Sequence, residues 1–256
     1  MGRNAMCAVP PMGWNSWNTF AENINEDLVK ETVDSMKEQG FLEAGYGYVV
    51  MDDCWSLKER DAEGRLVADP EKFPGGIKTL ADYIHDKGFK FGMYSCCGTR
   101  TCANYPGSFE HEFEDAQQFA WWGVDYLKYD NCFRPQNQDG RTLYRRMGMA
   151  LANSGRDIVF SACQWGTDSV HEWIRSSGLV RWHKLDLLDS YQHPDILLGA
   201  NVSNAPADYA PAIPQTNGYV NGTFGQGRTF NEKYYLYPVP SGQIALNPAL
   251  TQNPGW

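Results

Sequence analysis

Gly40, Gly88, Gly123 and Gly155 each stand just past a stretch with helical periodicity and just before a short run rich in β-branched and aromatic residues. A glycine in that place supplies the left-handed residue that ends a helix, so the device, used four times, marks four helix-to-strand returns. The runs recur at intervals of about 25 to 45 residues, the signature of repeated βα units feeding a parallel sheet. Strands are predicted at Met12–Trp17, Tyr46–Asp52, Lys90–Tyr94, Val124–Tyr129, Ile158–Ser161 and Val180–Leu185, with helices at Glu26–Gln39, Ile77–Lys87, Glu110–Trp122, Thr142–Asn153 and Asp168–Ser176. The fold class is therefore α/β, a (β/α)8 TIM-type barrel over a sandwich.

After about Leu188 the alternation stops, and the chain turns to Pro, Asn, Gly and Tyr with little periodicity. Six βα units leave an eight-stranded barrel short of two strands, so the barrel is expected to be incomplete, followed by an irregular C-terminal tail. The expected organisation is a barrel region over 1–186 and a tail over 187–256. With 42% hydrophobic residues in 256, the chain can fill a sizeable core.

A formal charge of −9, with no basic cluster longer than Arg145–Arg146, removes the usual footprint of a nucleic-acid or anionic-membrane binder and favours a neutral small-molecule partner. No apolar run approaches a membrane span, and Met1–Met6 does not read as a signal peptide. The chain as written is expected in the cytoplasm, or in a secreted or periplasmic setting if a leader has been removed.

In a βα barrel the active site lies at the C-terminal ends of the strands. Here those ends are Asn15-Ser16-Trp17, Asp52-Asp53, Tyr94-Ser95, Lys128-Tyr129-Asp130, Ser161 with Gln164, and Asp186. Such a rim suits hydroxyls. Lys128 and Asp130 share a face of their strand, and an ammonium beside a carboxylate keeps it ionised, as a nucleophile must be. Asp186 is the candidate for a second carboxyl, since retaining glycosidases need the pair about 5 to 5.5 Å apart. A plain ion pair and a solvated loop carboxylate are the alternatives for these residues. Asp52-Asp53, flanked by Trp55, suits two vicinal sugar hydroxyls better than a helix cap or a weak Mg²⁺ site.

Seven cysteines follow no zinc spacing, and the odd count allows no complete pairing, so at most one disulfide is expected. A bridge between Cys102 and Cys132 would tie two rim loops beside Asp130; two free thiols are the alternative, and the residues leave the choice open. No Ser lies in a nucleophile elbow beside a His, and there is no phosphate-binding glycine loop.

Pro10-Pro11-Met12-Gly13-Trp14-Asn15-Ser16-Trp17, then Val49-Val50-Met51-Asp52-Asp53-Cys54-Trp55, Thr101-Cys102, Tyr105-Pro106-Gly107-Ser108 and Trp122–Cys132 resemble glycoside hydrolase family 27, in the family's own order. That family holds α-galactosidases and α-N-acetylgalactosaminidases. The resemblance implies a (β/α)8 barrel, a terminal galactose-like sugar on a small-molecule or oligosaccharide substrate, and double displacement without metal or organic cofactor. It places Asp130 on the nucleophile and Asp52 and Asp53 on the carboxylates that hold the outer hydroxyls. It further puts Lys128 and Tyr94 among the sugar contacts, Trp14 on the aromatic floor, and Cys102 with Cys132 on a family disulfide.

Two departures stand out. Cys163-Gln164-Trp165 has an amide where many members carry Glu to read the sugar's 2-position, and Arg181-Trp182 reverses the family's Trp-Arg before the acid/base, which is expected at Asp186. From about Leu179 the chain instead resembles the end of SusD-like outer-membrane glycan-binding lipoproteins, through Arg181–Asp186, Tyr235–Pro240 and Leu246–Trp256. Two families thus meet near residues 179–186. The residues support a retaining α-galactosidase, with a non-catalytic galactoside binder and an inactive chimera as alternatives. For the last, two missing strands would cost more than the roughly 5 to 15 kcal/mol by which domains are stable.

Overall fold

The computed structural model describes residues 11–165, 168, 170–173, 222–224 and 228–230. Five parallel strands run in sheet order β1-β2-β3-β4-β5: β1 (Met12–Asn15), β2 (Tyr46–Val50), β3 (Lys90–Cys96), β4 (Tyr126–Asp130) and β5 (Val159–Cys163). Between them come α1 (Trp17–Phe20) and α2 (Glu26–Glu38), then α3 (Ile77–Asp86), α4 (Glu112–Trp122) and α5 (Gly140–Ala152), with α6 (Val170–Trp173) after the sheet. Each strand pairs with its sequence neighbour through a helical crossover, which makes half of a TIM-type barrel. The expected sixth strand, Val180–Leu185, lies outside the described residues. Within the tail, β6 (Gly222–Phe224) and β7 (Arg228–Phe230) form an antiparallel ribbon separate from the five-stranded sheet, in a stretch where no strand is expected from the sequence. Among the described residues no helix is long and apolar enough to cross a membrane.

The local chemistry explains the boundaries. Asn25 caps α2 by accepting from Leu28 N–H at 2.8 Å, with Glu26 and Asp27 favourably placed in the positive first turn. Gly40, Gly88, Gly123 and Gly155 have φ of +76°, +95°, +85° and +83°. At Gly123 the cap also takes the Val124 N–H, which donates to Phe119 C=O at 3.0 Å. The fourth strand therefore starts at Tyr126, two residues later than its β-branched run suggests. Likewise Asp139 caps α5 through Arg141 N–H at 3.0 Å, so that helix begins at Gly140 rather than Thr142.

Side chains alternate across the sheet. One face carries Val49, Phe91, Met93, Leu127, Tyr129, Phe160 and Ala162, all in one buried cluster with Val29 and Val33 of α2, Leu80 and Ile84 of α3, Phe119 of α4, and Met147 and Leu151 of α5. The other face carries Asn15, Val50, Gly92, Tyr94, Cys96, Tyr126, Lys128, Asp130 and Ser161, stacked in layers by the register. Gly92 is the key to one layer. A Cβ there would meet Val50 Cγ2 at 2.7 Å and Tyr126 Cδ1 at 3.1 Å, so the missing side chain lets residues of β2 and β4 close over β3. Alternate strands filling one layer is the packing rule of the barrel interior.

Candidate active site

The next layer up repeats that rule with polar side chains. Asp52 follows the end of β2 at the level of Tyr94 on β3 and Lys128 on β4, and Lys128 Nζ crosses the Tyr94 ring, 5.0 Å from its centroid, to reach Asp52 Oδ2 at 2.7 Å. Both groups are buried, with side chains 8% and 2% exposed, so the ion pair is shielded from water. Asn15 Nδ2 donates to the same oxygen at 2.8 Å, Asp53 N–H donates to Oδ1 at 3.0 Å, and Asp52 N–H donates to Ser16 Oγ at 3.0 Å. A carboxylate offers about four acceptor positions, and the hydrogen bonds among the described residues fill three of them. Burial alone would push the Asp52 carboxyl up, but the Lys128 charge and hydrogen bonds hold it below the ordinary Asp value. Burial pulls the ammonium down in turn, and Asp52 more than offsets this, so Lys128 stays charged far above neutrality.

Lys128 was expected beside Asp130. The two do share a face, but the direct partner of the ammonium is Asp52, because same-layer contacts run between alternate strands and Asp130 stands one layer higher, in register with Cys96 and Cys163. Asp130 is held by other donors. Trp165 Nε1 and Asn131 N–H each donate to Oδ1 at 2.8 Å, and the Tyr94 hydroxyl donates to Oδ2 at 3.2 Å. Burial first, and then the Asp130 charge, push the Tyr94 phenol well above its usual range, which keeps it a donor. Trp165 has a φ of +71°, a costly conformation for an aromatic residue, and it turns the indole toward the carboxylate. In the sequence Trp165 closes the Cys163-Gln164-Trp165 motif, which is read there for Gln164 alone; the hold of the indole on Asp130 is not foreseen.

Asp53 plays a mixed part. Its oxygens accept from Cys54 N–H at 2.8 Å and Ala103 N–H at 2.9 Å, so it ties the loop after β3 to the end of β2. Burial pushes its carboxyl up against those hydrogen bonds. Trp55, which flanks the Asp52-Asp53 doublet in sequence, is 4% exposed, donates to Tyr94 C=O at 3.0 Å and packs edge-on against Trp122. Trp14 stands in register with Val49, alternates with Asn15, and packs edge-on against Phe20 at 6.1 Å. Gln164 is buried, and its amide donates to Asp168 Oδ2 at 3.2 Å, where Arg134 forms an ion pair. The hydrogen bonds named above bring together Asn15, Asp52, Tyr94, Lys128, Asp130 and Trp165. Asp186 lies outside the described residues.

Cys102 and Cys132 are joined in a disulfide, with a Cα–Cα distance of 5.2 Å, linking the loops after β3 and β4. Cys54, Cys96 and Cys97 are buried and outside the bridge, and Cys163 is half-buried.

A parallel βα sheet with an ammonium, carboxylates and amides at its strand ends defines half of a TIM-type barrel with an acidic, amide-lined rim. Residues 9–177 match the profile of the family described as alpha galactosidase A, and the chain belongs to that family. Residues 164–256 match the SusD family profile, so the two matches overlap over 164–177. The α-galactosidase of Schizosaccharomyces pombe is 48% identical over 199 residues, covering 75% of this chain and 45% of the relative. The solved α-galactosidase I of Mortierella vinacea superimposes with a TM-score of 0.68 at 39% identity, covering 72% of this chain and 47% of that one. The Saccharomyces cerevisiae α-galactosidase solved with raffinose gives 0.67 at 43% identity, covering 71% and 40%. The chain thus spans less than half the length of each of these three relatives.

Proposed function

We propose that the chain cleaves terminal α-galactosides with retention, through a covalent glycosyl-enzyme intermediate on Asp130. The observation that carries this reading is the hold on Asp130: three donors from three elements fix a carboxylate at the end of β4, one layer above the Lys128–Asp52 pair. A nucleophile oriented in advance loses little freedom on reaching the anomeric carbon. Below it, Asp52, together with Lys128, suits the outer hydroxyls of a galactose-like ring, with Asp53 behind them. Raffinose in the Saccharomyces cerevisiae relative is a substrate class of the right kind. Asp186 supplies the general acid and base in this reading, at the roughly 5 to 5.5 Å separation that retention requires. Residues 1–186 form the catalytic region and 187–256 a SusD-like tail.

A second reading has an observation of its own. The SusD match starts at residue 164, so Asp186 falls within the segment that resembles a glycan-binding family. A protein with the sugar site but without a placed acid would bind galactosides and not turn them over.

Release of nitrophenol from a nitrophenyl α-galactoside, beside galactose titration calorimetry on the same folded sample, separates the two. Turnover that disappears in Asp130→Asn, with galactose binding kept, supports the hydrolase. Binding without turnover in the wild type supports the binder, and neither signal sinks both.

A further inference from the structure

The disulfide borders the site's central carboxylate. The sulfurs of Cys102 and Cys132 and a carboxylate oxygen of Asp130 all lie within 4.8 Å of one another. Two thiolates and a carboxylate at such spacing are the ligand set of a soft or borderline divalent cation, and such ions are bound by thiolates in preference to hard oxygen donors. We propose that reduction of Cys102–Cys132 turns the mouth of this site into a binding site for one thiophilic divalent cation, Zn²⁺ or Cd²⁺, held by both thiolates and Asp130.

The loops are built to stay together once the bridge is cut. Cys97 N–H donates to Asp130 C=O at 2.9 Å and Thr99 N–H to Phe133 C=O at 3.3 Å. On either side of Cys102, Thr101 N–H donates to Tyr105 C=O at 2.8 Å and Ala103 N–H to Asp53 Oδ2 at 2.9 Å. Gly98 lies so close beneath the Cys132 and Phe133 carbonyls that a Cβ there would overlap them. With the backbones pinned, the two sulfurs need to part only to about 3.8 Å, the edge of a tetrahedron with metal–sulfur bonds of about 2.3 Å. A Cα–Cα distance of 5.2 Å accommodates that by side-chain rotation.

Access and competition favour the same pair. Cys102 is exposed, so reductant and ion can reach it from solvent. The buried Cys54, Cys96 and Cys97 offer a cation no such approach from solvent. In the reaction the disulfide takes up two electrons from a dithiol or a phosphine, and two protons from the dithiol or, with the phosphine, from water, giving two thiols. The reductant leaves as its own disulfide or, with an oxygen from water, as the phosphine oxide. The cation then displaces the two thiol protons to the buffer, and water fills the remaining coordination position. A cation bound there would occupy the carboxylate assigned above as nucleophile. That consequence rests on the hydrolase reading, whereas the binding itself does not.

The test is a Cd²⁺ titration of the whole chain, oxidised and phosphine-reduced, freed of other metals, and followed by thiolate-to-cadmium charge-transfer absorbance. The expected result is one equivalent bound by the reduced protein with the intensity of two thiolates, and none by the oxidised protein. The signal should vanish in the reduced Cys102→Ser/Cys132→Ser variant. Asp130→Asn, which keeps the bridge during preparation, should weaken the reduced site by at least about tenfold, since even residues that merely support a ligand cost that much. Equal binding by both redox forms, an unchanged signal in the double variant, undiminished affinity in Asp130→Asn, or loss of the native circular dichroism on reduction would each overturn the proposal. Because cadmium absorbance does not depend on turnover, it decides this site whether or not the protein hydrolyses galactosides.

Discussion

Replacing Lys128 by Met keeps most of the apolar stem and removes the ammonium, with its charge and its hydrogen bond to Asp52. In the wild type the ammonium and the Asp52 carboxylate are almost wholly buried, 2.7 Å apart, so the substitution strands a carboxylate in a low-dielectric site. Breaking one partner of such a pair costs about 3–5 kcal/mol. Asn15 Nδ2 and Asp53 N–H remain as donors to Asp52, which sets the expectation at the lower end, about 3 kcal/mol at neutral pH. The pH dependence has a definite sign. In the wild type the Asp52 carboxyl is held below its unfolded value, so its stabilisation is present above that value and is lost as pH falls through the lower folded value. In Lys128→Met, burial is no longer offset by the ammonium and the folded value rises above the unfolded one. The variant therefore loses stability as pH climbs through that interval, and its deficit against the wild type shrinks toward acid pH. Urea unfolding at several pH values, with Asp52→Asn and the double variant completing a cycle, measures all of this. A deficit below about 1 kcal/mol at neutral pH, the range of exposed pairs, would refute the assignment of a shielded ion pair, as would a deficit that does not change with pH.

Two further outcomes follow from other contacts. Trp165→Phe removes the indole donor that meets Asp130 Oδ1 at 2.8 Å; a hydrogen bond to a charged group contributes about 1.5–3 kcal/mol. Nitrophenyl galactoside turnover should therefore fall by roughly tenfold to 150-fold, and a change under about twofold would show that the indole does not orient the carboxylate. Arg60 grips Asp115 with two bonds of 2.7 Å, and the Asp115 side chain is 0% exposed. Arg60→Met should cost about 3–5 kcal/mol of stability and leave kcat of the folded fraction unchanged; an unaltered thermal midpoint would contradict this.

The half-barrel was legible because its signals are local. Each glycine cap, each β-branched run and the apolar faces of α2, α3 and α5 lie within a few residues of the element they specify. The acidic doublet and the Asp130 strand could be placed at the strand ends for the same reason. What escaped depends on packing between strands. Lys128 finds Asp52 rather than Asp130 because the barrel fills each layer from alternate strands, a relation across 76 positions that no local pattern shows. The packing of Trp55, next to Asp52-Asp53 in sequence, is likewise long-range: its partners, Trp122 and the Tyr94 carbonyl, come from elements far along the chain. Trp165 escaped because its role rests on one left-handed residue after β5 that turns its ring. The expected sixth strand and Asp186 fall outside the described residues, so the barrel's continuation past Trp173 rests on the sequence.

The central claim is that Asp130 forms a bond to the sugar. A fluorinated α-galactosyl fluoride, which slows breakdown of a glycosyl-enzyme more than its formation, followed by peptide mass spectrometry, tests it directly. The account predicts one added fluorogalactosyl group on the peptide that carries Asp130, and none in Asp130→Asn. Turnover of the nitrophenyl substrate with an adduct on another residue, or an adduct that persists in Asp130→Asn, would contradict it.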